Sequence, residues 1–150
     1  MPATLDGVDR KILNALQSNG RVAFSEIANE IGVDEATIRY RVKKLKEAGV
    51  ITKFTALLDP AKIGFPVTAV IMIKINPVLF DSASAEIAKL SETRHVFQST
   101  GGYDVVAVVN TRDLGHLNDL RRRLELISGV SDVVVFATTK LLKIKPSFDL

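Results

Sequence analysis

Cysteine is absent from this 150-residue chain. That excludes disulfides, thiolate catalysis and cysteine-ligated zinc, and it permits a reducing interior. Histidine is scarce. His95 and His116 are the only two, they are not spaced as a metal pair, and no acidic cluster accompanies them. They read as surface or capping residues, and no metal site is expected. Charge of one sign is not in excess: 20 Lys and Arg stand against 17 Asp and Glu, for a formal +3. So mild a balance does not imply nucleic acid by itself; the placement of charge must carry that. Long apolar runs are missing too. None approaches the roughly 18 residues a membrane span needs, and the opening MPATLDGVDR has no apolar signal core. The expectation is a soluble, cytoplasmic protein with no membrane partner. There is no Gly-rich phosphate loop ending in Lys-Ser/Thr, no Gly-x-Ser-x-Gly and no paired-His zinc motif. No catalytic residue and no cofactor is assigned, and an enzyme is not expected.

What is present is a globular composition, 47% hydrophobic and 25% charged, at a length that suits one domain or two small ones. The most informative stretch is 34–49, DEATIRYRVKKLKEAG. Ile38, Val42 and Leu45 recur at helical spacing and form a narrow apolar stripe. Ala36, Thr37, Tyr40, Lys43, Lys44 and Glu47 fall opposite, with Arg39, Arg41 and Lys46 flanking. Asp34 is suited to cap the start and Gly49 to stop the end. One face can dock on a core while a mainly cationic face looks outward. On an isolated helix that would read as a solvated face.

The neighbours change the reading. Leu5, Val8, Ile12, Leu13 and Leu16 recur at helical spacing, with Asp6 and Asp9 at the positive end of that helix dipole. Asn19-Gly20 closes this helix. Ser25 is then read as the cap of a short second helix with Ile27, Ala28 and Ile31 inward, ended by Gly32. Two helices joined through so short a glycine turn form a helix-turn-helix. Val50-Ile51 and the strand-like composition of Thr52 to Leu58 add a wing, which would carry Lys53. Lys53 reads equally as a phosphate contact or as a charge that protects an edge strand.

At this point the chain resembles the leucine-responsive regulator/AsnC family of transcriptional regulators. The matching stretches are LDGVDRKILNALQSNGR, FSEIANEIGVDEATIRYRVKKLKEAGVI and LDPAKIG. One departure stands out: Ala36 occupies a place where the family often has serine, so base readout there would be apolar or absent. The resemblance implies double-stranded DNA as partner.

The remaining residues alternate in type. Lys62 to Pro66 reads as a hinge. A strand over 67–75, a helix over 80–90, strands over 96–100 and 103–110, a helix over 114–127 and a final strand within 130–144 give the order β-α-β-β-α-β. The fold class is therefore α+β. A winged helix-turn-helix over 1–60 precedes a hinge at 61–66 and a ferredoxin-like domain over 67–150. The family carries a second domain of this kind. The strand runs at 69–73, 105–109 and 133–137 are apolar on both sides. A sheet with both helices on one face would otherwise show a polar second face. The expectation is a homodimer packed through that face, and the resemblance implies that dimers also join into octamers. Arg121-Arg122-Arg123 reads as a solvated run or an inter-dimer contact.

Thr100-Gly101-Gly102-Tyr103-Asp104 has two readings. Gly-Gly can make a two-residue hairpin turn with positive φ at both positions. Alternatively, bare glycine amides approach a carboxylate while Asp104 pairs with an ammonium, the two ends of an amino acid. The resemblance favours the second, since in the family this turn lies at the dimer interface and helps to hold the effector. It also brings in Thr138 and Thr139, expected on the last strand and facing the same pocket, or else serving as β-branched strand filler. The function expected is a sequence-specific regulator tuned by a small amino-acid-like effector. DNA contacts are assigned to Thr37, Arg39, Tyr40, Arg41, Lys43, Lys44 and Lys53. The enzymatic alternative is a sirohaem decarboxylase, which resembles the same family in both domains but need not keep the cations Arg39, Lys43 and Lys44.

Overall fold

The structure is a computed structural model that describes residues 4–150. The chain divides into two compact units: one runs up to Leu57 and includes Lys143–Leu150, the other is Leu58–Leu142. The tail thus folds with the first unit.

In the first unit three helices, α1 (Gly7–Ser18), α2 (Phe24–Ile31) and α3 (Glu35–Glu47), enclose one apolar cluster. Ile12, Leu13 and Leu16 meet Ile27 and Ala28 from α2 and Ile38, Val42 and Leu45 from α3, all buried. The stripe read from the sequence is therefore the docking face of α3. Asp6 caps α1, accepting from Val8 N–H at 2.9 Å and Asp9 N–H at 2.8 Å, while Asp9 accepts from Asp6 N–H at 3.3 Å. Reciprocal caps of this kind satisfy orphan amides at the helix start. Gly32 ends α2 at φ 83°, a left-handed conformation that glycine takes without a Cβ penalty.

Two expectations need correcting here. Helix α2 starts two residues earlier than a Ser25 cap would place it. Ala23 is the capping position, it makes no side-chain cap bond, and Phe24 is the first helical residue, packed against the apolar cluster. Packing of Phe24 outweighs the missing cap. The wing is not a strand either. Thr52 to Asp59 is exposed and carries no strand, because no second segment of the described residues pairs with its backbone. The tail lies on α1 instead: Phe148 N–H donates to Gln17 Oε1 at 2.7 Å, Gln17 Nε2 donates to Phe148 O at 3.1 Å, and Asn14 Nδ2 donates to Leu150 O at 3.1 Å.

The second unit holds β1 (Val67–Ile75), α4 (Phe80–Ala88), β2 (Thr93–Gln98), β3 (Val105–Thr111), α5 (Leu114–Glu125) and β4 (Val130–Ala137). The sheet order is β2-β3-β1-β4, antiparallel throughout, which is the expected ferredoxin-like arrangement. Ala69, Ile71, Ile73 and Ile75 of β1, with Val105, Ala107, Val109 and Val133, pack on Ala83 and Ile87 of α4 and Leu117, Leu120 and Leu124 of α5. The alternate residues point away. Val70 and Met72 lie between Val108 and Val106 on one side and Phe136 and Val134 on the other. Phe97 is 54% exposed and Phe136 51%. The outer face is thus apolar at its centre and without cover in a single chain. No helix among the described residues is long and apolar enough to cross a membrane.

One buried charge sits behind the sheet. Glu92, 6% exposed, pairs with Arg123 and with His116 Nε2 at 2.9 Å, and accepts from Ser91 Oγ at 3.1 Å. Arg112 N–H donates to His116 Nδ1 at 3.3 Å, so the ring hydrogen lies on Nε2 and donates to Glu92. Burial pushes the Glu92 carboxyl up, but the His116 and Arg123 hydrogen bonds outweigh it and hold it at about 2, below the ordinary 4.5. A depressed carboxylate stabilises fully above its ordinary value, and that contribution is lost as pH falls from about 4.5 towards 2. Glu92→Gln should lower folding stability by about 2 to 3 kcal/mol at neutral pH. Acid unfolding of the variant should show a weaker pH dependence in that window.

Candidate DNA-binding surface and effector site

Helix α3 presents its polar face to solvent. Asp34 caps it, accepting from Thr37 N–H at 2.6 Å and from the Thr37 hydroxyl at 2.9 Å. Those bonds, led by the Thr37 amide, hold the Asp34 carboxyl below its ordinary range. Tyr40 is 60% exposed, with Lys44 Nζ 5.7 Å from its ring centre. Arg39 bonds Glu35 at 2.6 Å and stacks over Phe24 at 5.5 Å. Lys43 and Lys44 share Glu47 at 3.8 and 3.6 Å. Exposed pairs of this kind contribute about 0 to 1 kcal/mol, so each cation can exchange its carboxylate for a phosphate at small cost. Phe54, next to exposed Lys53, faces Phe24, Arg39, Lys43 and Lys46 across a cavity of about 400 Å³.

Arg41 stands apart from the other cations. Its guanidinium bonds Asp6 at 2.6 Å and Asp9 at 3.0 Å, and its side chain is only 30% exposed. The two carboxylates raise the Arg41 pKa further. The Asp9 amide, and after it Arg41, lower Asp6 in turn. Arg41 fastens α3 to the capped start of α1. It nevertheless lines one cavity with Thr37, Tyr40 and Lys44.

In the second unit the Gly101–Gly102 turn differs from a two-residue hairpin. Ser99 to Asp104 forms a six-residue loop, closed where Ser99 N–H donates to Asp104 O at 2.8 Å. Neither glycine has positive φ, and a Cβ added at Gly102 would meet nothing within 4 Å. Backbone conformation therefore does not require these glycines. Gly101 N–H is held by Ser99 Oγ at 3.2 Å, whereas the amides of Gly102 and Tyr103 have no acceptor among the described residues. Asp104 is committed to the fold: its Oδ2 accepts from Ile75 N–H at 2.8 Å, and its own N–H donates to Ile73 O at 3.0 Å. Thr100 is exposed beside the glycines.

Thr138 and Thr139 lie beyond the end of β4, not on it. Thr138 N–H and Oγ1 both donate to Thr68 O, at 2.9 and 3.0 Å. Thr68 and Ile73 are five residues apart on β1, about 17 Å at strand rise. Within one chain the loop and the two threonines therefore occupy opposite ends of the sheet. Two residues near the loop escaped sequence reasoning. Lys74 Nζ donates to Gly102 O at 2.9 Å, and Tyr103 Oη donates to Asp132 Oδ2 at 3.0 Å. The signal available was that each is the one charge in an otherwise uncharged strand. The Asp132 bond raises the Tyr103 phenol above its ordinary value, so Asp132→Asn should bring its phenolate absorbance in at lower pH.

Comparison with known proteins joins the two halves. Residues 5–52 match the winged helix-turn-helix DNA-binding family, and residues 68–148 match the Lrp/AsnC ligand binding domain. The HTH-type transcriptional regulator FL11 of Pyrococcus horikoshii is 35% identical over 143 residues, covering 93% of this chain and 95% of that protein. The chain belongs to the Lrp/AsnC family. Another relative, the HTH-type transcriptional regulator Ptr1 of Methanocaldococcus jannaschii, is 39% identical over 113 residues, 75% of this chain and 76% of that protein. Among solved structures, AsnC of E. coli superposes with a TM-score of 0.90 at 28% identity, covering 97% of this chain and 99% of that one. A Neisseria meningitidis transcriptional regulator in complex with L-Met superposes with 0.88 at 27% identity, covering 97% and 96%. This Lrp/AsnC chain is a DNA-binding transcriptional regulator with a ligand-binding domain.

Proposed function

We propose that the protein is a cytoplasmic, homodimeric or larger sequence-specific regulator whose DNA binding is modulated by a free amino acid. The observation that carries this reading is the pairing of a capped helix with an outward cationic face and a ligand-binding domain whose outer sheet face is apolar and uncovered. Lys43, Lys44 and Arg39, with Lys53, neutralise phosphates. Thr37 and Tyr40 meet base edges, although the Thr37 hydroxyl already serves Asp34 and leaves Tyr40 the stronger reader. Arg41 positions α3 and touches no phosphate.

The outer sheet face packs on its counterpart in a second copy. A two-fold packing can set the Gly101–Asp104 loop of one copy against Thr138 and Thr139 of the other, which one chain alone holds apart. The effector site is then shared between copies, and ligand biases the spacing of the two recognition helices or the joining of dimers into octamers. That a relative's structure holds L-Met supports an amino acid as ligand class. The relatives compared are regulators, which favours this reading over a decarboxylase. Tyr40→Ala tests the base-reading role. It should erode discrimination between sites while leaving non-specific affinity within about threefold. Unchanged discrimination in competition binding would remove Tyr40 from the reading head.

A further inference from the structure

We infer that Lys74 and Asp132 hold the two charged ends of the effector, the carboxylate on Lys74 and the ammonium on Asp132. This rests on the amino-acid reading above and assigns the residues that would recognise the zwitterion. Lys74 and Asp132 are direct cross-strand partners in the β1–β4 ladder. Both are exposed, and they lie on the outer sheet face at the end that carries the 99–104 loop. Directly opposed side chains of opposite sign ordinarily pair with each other. These two do not: among the described residues Lys74 bonds a loop carbonyl and Asp132 a loop hydroxyl.

Each charge thus holds a neutral partner. An ammonium on a carbonyl and a carboxylate on a phenol are weaker than either group on a full opposite charge. A zwitterion supplies both opposite charges at once, to two heads set on strands about 4.8 Å apart. Gly102, whose carbonyl Lys74 holds, offers its amide and empty space where a side chain would stand. Asp104, the other carboxylate of the loop, is bound to the Ile75 amide and closes the sheet. The contacts that an effector would take over are the ones that now fasten Gly102 and Tyr103. Occupancy is thereby coupled to the position of the loop.

The test uses the full-length chain and titration calorimetry with the twenty standard amino acids. For whichever binds, its α-carboxamide and its desamino acid follow. Lys74→Met should weaken the amino acid by about tenfold to a hundredfold, and the variant should no longer prefer it over the carboxamide. Asp132→Asn should weaken it similarly and no longer prefer it over the desamino acid. Lys74→Arg should restore most of the affinity. If the wild type binds an amino acid and either variant loses affinity for all three ligands in equal proportion, or for none, the assignment is overturned while the effector reading stands. If the wild type binds none of the twenty, the effector reading fails and takes this assignment with it.

Discussion

Replacing Lys43 and Lys44 together by alanine should lower DNA affinity by about two orders of magnitude, and equally for every sequence tested. Both ammonium groups project from the solvent side of α3 beside the exposed carboxylate of Glu47, and Lys44 also lies over the Tyr40 ring. Their loss leaves the Ile38–Val42–Leu45 docking stripe intact, and alanine favours helix more than lysine does. The fold should therefore hold. A dimer loses about four phosphate contacts, so the slope of log affinity against log salt should become shallower by about 3.6. Fluorescence anisotropy at several salt concentrations measures both quantities. A slope unchanged from wild type would mean that another surface neutralises the backbone.

Met72→Asp should dissociate the proposed homodimer and, through that, lower DNA affinity by about 10²- to 10⁴-fold. Met72 lies mid-strand in β1, flanked in register by Val106 and Val134 on the uncovered face. A carboxylate there is solvated in a single chain but would be buried without a partner in a face-to-face dimer, at a cost of several kcal/mol. The helix-side core, Ile71 and Ile73, is untouched. Sedimentation velocity should show a monomer with native circular dichroism. Two recognition helices on one particle bind two half-sites as a chelate, and the monomer loses that advantage. A dimer that survived Met72→Asp would place the interface elsewhere.

Periodic features were legible in the sequence because local geometry alone produces them. Ile38, Val42 and Leu45 recur at the helical repeat, and all three are buried. Gly32 stops α2 in a conformation that only local sterics dictate. The β-α-β-β-α-β order follows from strand and helix runs that each announce their own type. The corrections all concern partners distant in sequence or absent from a single chain. Arg41 looks like one more cation on α3 until Asp6, 35 residues away, takes its guanidinium. Asp104 looks free until the Ile75 amide, 29 residues away, claims it. Thr138 reads as a neighbour of Gly101, yet it lies past β4 and its bonds to the Thr68 carbonyl put it at that end of the sheet. Composition made Thr52–Leu58 a strand, but a strand needs a neighbour and none is present among the described residues. Lys74 and Asp132 gain meaning only when the β1–β4 register sets them side by side.

The central claim is that two copies of α3, related by a two-fold axis, read DNA under the control of a small ligand. The most direct test is selection of bound duplexes from a random pool with the full-length protein, with and without a mixture of the twenty amino acids. The expected result is enrichment of an inverted repeat whose half-site centres lie about 10 base pairs, or a multiple of that, apart. Affinity or preferred spacing should shift when the amino acids are present. Recovery of unsorted sequence, or of a single asymmetric site indifferent to amino acids, would contradict it.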